Sequence, residues 1–173
     1  MTSDETPMAP SVGDGDERGD LLESLATQRY LLLMTVDGLS DEQAAATPTV
    51  SSLCLGGIVK HVTLMERQWT AFARSGEMGG DEQEFTDSFR MLPGETLAGL
   101  VEDLHRAAAD TDTAVREIPD LGTTHPLPPA PWFAPGAVRS ARRSFVHLVA
   151  EVAQHAGHAD ILRESVDGRR TMG

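Results

Sequence analysis

The sequence predicts an all-α protein, a four-helix bundle. Two observations carry this. Four stretches of about 20 residues repeat their apolar side chains at spacings of three and four. No stretch alternates apolar and polar residues in the manner of a half-buried strand. The 173 residues amount to one ordinary domain, and a hydrophobic content of 40% can supply its core.

Residues 1–18 are acidic and rich in Gly, Pro, Ser and Asp, which predicts a flexible tail ahead of a domain spanning 19–168. The first helix is read from Leu21, Leu22, Leu25, Leu32, Leu33 and Val36 around Tyr30, with Gly38 as its stop. Ser40-Asp-Glu-Gln43 has the form of a capping box opening a short extra helix, which Pro48 closes. A second long helix fits 52–74, where Leu55, Ile58, Val59, Val62, Met65, Trp69 and Phe72 share a face. Gly76, Gly79 and Gly80 end it. The third fits 95–117 through Leu97, Leu100, Leu104 and Val115. Pro119, Pro126, Pro128, Pro129, Pro131 and Pro135 then exclude a helix over 118–137. The last helix, 139–165, has the clearest stripe: Phe145, Leu148, Val149, Val152, Ala156, Ala159, Leu162 and Val166, with Gly168 beyond it. Residues 169–173 form a short C-terminal tail.

Charge narrows the function. Lys and Arg number 14 against 27 Asp and Glu, a net −13, and such a surface repels phosphate backbones and anionic membranes. No apolar run reaches the roughly 18 residues of a membrane span, and the acidic start is unlike a signal peptide. A single cysteine, Cys54, allows no internal disulfide, and a small buried hydrophobe is its expected role. The expectation is a cytoplasmic protein that binds neither nucleic acid nor membrane.

Chemistry gathers on two helices. On a wheel of the last helix, His155 lies about 40° from the centre of the apolar stripe, Glu151 about 80°, His158 about 100° and His147 about 120°. Glu151 and His155, four residues apart, stack one turn from each other along the core edge, where a carboxylate and an imidazole can converge on one cation. His61 holds a matching flank on the second helix. One ligand from one helix and a pair from another leave a coordination position open, as in catalytic zinc sites. Spacing alone describes equally well a solvated or hydrogen-bonded helix edge. Glu66 and Arg163 fall where the wheels predict core, and a mutual ion pair between them would fix the register of their helices. The 118–137 segment is long for a compact domain. It reads either as a lid, with His125, Trp132 and Phe133 over the site, or as a stiffened crossover capping the bundle end.

Leu55-Gly-Gly-Ile-Val-Lys-His61-Val-Thr-Leu-Met-Glu66-Arg-Gln-Trp69 resembles the second helix of the DinB-like superfamily. His147-Leu-Val-Ala-Glu151-Val-Ala-Gln-His155-Ala-Gly-His158-Ala-Asp160-Ile-Leu-Arg163-Glu164 is similar to the last helix of its actinobacterial mini-circle-protein branch. The resemblance covers about residues 20–168, nearly the whole domain. It implies a four-helix bundle, commonly homodimeric, holding a divalent metal by one residue of the second helix and two of the last. Carried over, the ligands are His61, Glu151 and His155. Many members have His at all three places, whereas the mycothiol-dependent maleylpyruvate isomerase has a similar His, Glu, His set. Members with an assigned chemistry are often thiol S-transferases using mycothiol or bacillithiol.

The resulting expectation is a metal-dependent thiol S-transferase joining a low-molecular-weight thiol, of the mycothiol type, to a small electrophile. Zn²⁺ is the first candidate, with Ni²⁺, Mn²⁺ and Fe²⁺ compatible with a carboxylate ligand. His158 or His147 would orient a ligand or relay a proton. A hydrolase or tailoring enzyme using activated water, or a non-catalytic metal-binding or ligand-sensing dimer, has the same cage and is not separated by sequence.

Overall fold

Side-chain caps decide where the helices start. In the computed structural model, which describes residues 15–131 and 133–171, Asp16 accepts from Gly19 N–H and opens α1, Glu17–Val36. The Ser40 capping box opens α2, Asp41–Ala45, with both reciprocal bonds present. Cys54 caps α3, Leu55–Ser75, its sulfur accepting from Gly57 N–H. The cysteine expected to be a mere buried hydrophobe is buried and also holds a helix end. Asp81 opens a short α4, Glu82–Asp87, that apolar periodicity had not indicated. Thr96 and Ser140 open α5, Leu97–Glu117, and α6, Ala141–Asp167. Gly76 and Gly168 end α3 and α6 at φ of 79° and 80°, a left-handed backbone that glycine adopts without strain.

The expected all-α bundle is present, with one small addition. Thr124–Pro126 (β1) and Val138–Ser140 (β2) pair antiparallel within the proline-rich segment, His125 facing Arg139. Three residues per strand are too few for an alternation to show in sequence. Most of the expected N-terminal tail falls on residues 1–14, which lie outside the described residues, as do Trp132 and residues 172–173. Among the described residues no helix is long and apolar enough to cross a membrane.

Polar contacts reveal how the helices run. Glu17 meets Arg142 and Thr35 meets Arg163, so α1 and α6 are parallel. Lys60–Glu95 and Arg74–Asp110 make α3 and α5 parallel. Trp69 meets His147 while His61 meets His155, so α3 and α6 are antiparallel. The bundle is therefore up-down-down-up. The parallel neighbours α3 and α5 need an overhand connection, and residues 76–96 with α4 supply it.

Two apolar clusters fill the interior. One centres on Leu32, Leu55, Ile58, Val62, Leu104 and Val152, the other on Leu25, Trp69, Phe72, Val115, Phe145 and Leu148. Between them lies a polar layer. Arg29 grips Glu66 with Nε and Nη2 at 2.7 and 2.8 Å, and Nη1 donates to Asp112 at 2.8 Å. Glu66 is wholly buried, and Thr70 and Thr111 share a hydrogen bond of 2.8 Å alongside. The hydroxyl pair and the bidentate clasp satisfy a layer that would otherwise be costly to desolvate.

The expected Glu66–Arg163 pair does not form. Its failure follows from the antiparallel register: opposite levels on α3 and α6 have residue numbers summing to about 216, as in His61 with His155, so Arg163 stands level with residue 53. Glu66 is some 13 residues further along, roughly 20 Å away. Arg163 instead donates to the carbonyls of Thr35 and Asp37 and pairs with Asp167, closing the end of α1 against α6.

Breaking the buried clasp strands a carboxylate. Arg29→Met is expected to lower the unfolding free energy in urea by about 3–5 kcal/mol, and adding Glu66→Leu to recover most of it. A loss of under ~1 kcal/mol in the single variant would show that the clasp contributes little.

Candidate functional site

The same register levels His61 with Glu151 and His155. One ligand atom from each of the three lies within 4.8 Å of the others, and His61 and His155 are buried. The His61 and His155 rings stand edge to face at 4.8 Å between centroids. Four-coordinate zinc holds ligands at about 2.0–2.2 Å, which a modest closing of these side chains would satisfy. The donor set, two imidazoles and one carboxylate, suits a borderline divalent cation. The three residues expected from sequence are thus brought together.

The protonation state of the two imidazoles favours ligation. Burial drives the His61 pKa down to about 4, with His155 opposing its charge further. His155 is lowered by burial and then by His158. Glu151 is raised, because burial disfavours its charge. At neutral pH both ligand imidazoles are therefore neutral and offer lone pairs, which is the state a metal requires. His155 Nδ1 is buried without a hydrogen-bond partner, an orphan in a site otherwise built of polar groups.

His61 has a fixed tautomer. Ser88 Oγ lies 2.9 Å from His61 Nδ1 and donates its own proton to the Phe85 carbonyl at 2.7 Å. The hydroxyl has one hydrogen, so it must accept from Nδ1–H, and the His61 lone pair is left on Nε2. Phe89 stacks on the same imidazole at 4.0 Å and Phe85 meets it edge-on at 5.6 Å. This wall comes from α4 and the turn after it. Gly57 admits it, since a Cβ there would lie 2.1 Å from the Phe89 carbonyl oxygen, and at Gly56 it would collide with the Met91 side chain. The Gly-Gly pair ahead of His61 was the one sequence signal of a close backbone approach.

The outlying histidines occupy different surroundings. His147 Nε2 lies 3.3 Å from Glu151, and its ring stands edge-on to Trp69 at 4.7 Å. Burial lowers its pKa to about 4, assisted by the guanidiniums of Arg139 and Arg143. It is therefore neutral, and Nε2–H can orient the carboxylate. His158 is half-buried, 5.5 Å from the His155 ring, with Nδ1 lacking a hydrogen-bond partner. Of the proline-rich segment, His125 packs against Phe72 and Gly76, while Phe133 approaches Arg139. The rings of His61 and His155 are covered by Phe89, in the turn after α4.

Ser88→Ala should leave His61 Nδ1–H buried and unpaired. The expected result is a loss of about 1–3 kcal/mol in stability and a Zn²⁺ affinity reduced about 10–100-fold in competition with a chromophoric chelator. Ser88→Thr, which keeps the hydroxyl, should bind nearly as wild type. Unchanged affinity in the alanine variant would remove Ser88 from the site.

Comparison with known proteins agrees with this geometry. A family model described as Mycothiol-S-transferase matches residues 20–168. A crystal structure of a conserved protein of a locus from Enterococcus faecalis superposes with a TM-score of 0.64, covering 86% of this chain and 96% of that one. The identity is 14%, so this likeness is one of fold. No curated protein matches the chain significantly. The family match spans nearly the whole described bundle, including both motifs that resemble the DinB-like superfamily, and the chain belongs to the mycothiol S-transferase family.

Proposed function

We propose that the protein is a divalent-metal-dependent S-transferase, joining a low-molecular-weight thiol of the mycothiol type to a small electrophile. The observation that carries this reading is the meeting of His61, Glu151 and His155, from two separate helices, within 4.8 Å. These three would hold the cation, Zn²⁺ first by donor chemistry. Bound there, the metal would supply positive charge that keeps a thiol ionised at neutral pH.

The remaining work falls to the chain itself. Ser88 fixes His61 with Nε2 open, and His147 orients the Glu151 carboxylate from its far side. Phe85 and Phe89 pack on the His61 ring and, with its burial, reduce the screening of charges there. The thiol sulfur forms its bond to the electrophilic carbon, and the thiol proton needs an acceptor. His158 Nδ1 is suited to it, being without a hydrogen-bond partner beside His155, whereas His147 is engaged with Glu151. The proton then passes to the leaving group or to the adduct. No protein nucleophile enters the scheme.

Protein purified without a metal-binding tag is expected to carry close to one divalent ion per chain. With mycothiol and an electrophile such as monobromobimane, conjugation should exceed the uncatalysed rate, stop on metal removal and return with Zn²⁺. Glu151→Gln and His155→Ala should fall to background, and His158→Gln should lower turnover while leaving metal content intact. Failure to form any conjugate across a varied electrophile panel would overturn thiol transfer. Hydrolysis of that panel by the metal-loaded protein would favour activated water.

A further inference from the structure

Near the candidate metal centre stands an arginine held by aromatic rings and by no acid among the described residues. Arg139, at the centre of β2, lays its guanidinium over the Trp69 ring at 4.3 Å and near the Phe133 ring at 5.6 Å. Among the described residues it has no carboxylate or carbonyl partner, and its Nη1 is buried without a hydrogen bond. Arg143, one turn into α6, is exposed and equally unpaired among the described residues. The chain has 27 acidic residues for 14 basic ones, so the lack of a partner is not for want of acids. Most arginines elsewhere find them: Arg29, Arg74, Arg90, Arg106, Arg142 and Arg163 all reach carboxylates.

Position gives this pair a direction. Arg143, His147, Glu151 and His155 follow one another at four-residue intervals along one face of α6. Trp69 links the two ends, touching Arg139 on one side and His147 on the other. The guanidiniums thus lie about one to two helical turns, roughly 6–12 Å, from the candidate cation site. Aromatic contact occupies the faces of the Arg139 guanidinium, whereas its N–H groups lie in the plane, in the fork that matches a carboxylate. The start of α6 adds the positive end of a long helix.

We propose that Arg139 and Arg143 form a subsite for an anionic group on the small-molecule substrate, a carboxylate held by the Arg139 fork and steered by Arg143. The proposal refines the reading of the site as a transferase by naming the electrophile's class: a compact organic acid, its reactive carbon near His61, Glu151 and His155 and its carboxylate toward β2. In a chain of net charge −13, such an acid would be repelled nearly everywhere else.

Titration of the full-length chain with succinate, followed by the tryptophan emission that Trp69 contributes beside Arg139, tests this directly. Sodium chloride at matched ionic strength serves as control, and the titration is run with and without added Zn²⁺. A saturable change is expected in both series. It should weaken at least tenfold in Arg139→Gln and several-fold in Arg143→Gln, and remain as wild type in Arg170→Gln, an exposed arginine beyond the far end of α6. Arg143 is exposed, so its variant reports even if Arg139→Gln folds poorly. In turnover, the arginine variants should raise KM for a carboxylate-bearing electrophile and leave KM for a neutral one of similar size unchanged. Absence of a saturable succinate response, or binding that needs Zn²⁺ and ignores both arginines, would overturn the subsite. Succinate binding through Arg139 without any thiol conjugation would sustain the subsite and reject the transferase reading.

Discussion

The antiparallel alignment of α3 with α6 is the constraint on which the site depends. His61 and His155 are separated by most of the chain, and each is an ordinary edge residue on its own helix. They meet because the helices lie at one particular axial offset, which also levels Trp69 with His147. A slip of one turn, about 5.4 Å, would separate the ligand atoms beyond the reach of any ion. The offset is held from outside the site. The Arg29–Glu66–Asp112 layer ties α3 to α1 and α5, and Arg163 ties α6 to the end of α1, so both site helices are pinned to the same third element.

That division also explains what could be read in advance. A helical wheel gives the azimuth of a side chain, and azimuth sufficed for the core stripes and for placing Glu151 and His155 on one edge. It gives no axial level between two helices. Glu66 and Arg163 both face inward as the wheels require, yet Glu66 stands in the middle layer and Arg163 near one end of the bundle, and each solved its burial with α1 instead. His61 lies level with Glu151 and His155, a meeting to which the family motif pointed more than the wheel did. α4 was missed for another reason. None of its residues is buried, so there was no apolar stripe to read, and its helix rests on the Asp81 cap and on contacts made by Phe85, Ser88 and Phe89 with a histidine 27 residues before Ser88.

Electrostatics divides the molecule similarly. The surface is strongly acidic, and most arginines are spent locally on neighbouring carboxylates in exposed pairs that contribute little to stability. The region where β2 meets α6 departs from this pattern. There the guanidiniums of Arg139 and Arg143 add to the effect of burial on His147, keeping neutral an imidazole that faces a carboxylate. The candidate site thus has guanidiniums on one side and an aromatic wall on the other.

The wall has a cost for anyone dissecting the site. The imidazole of His61 is both a member of the candidate cluster and the surface on which Phe85, of α4, and Phe89, just after it, rest. Deleting that ring would unseat the cover together with the ligand, and the two losses would arrive as a single phenotype. On α6, His155 meets Phe89 only at 6.5 Å between ring centroids, so replacing it disturbs the enclosure less.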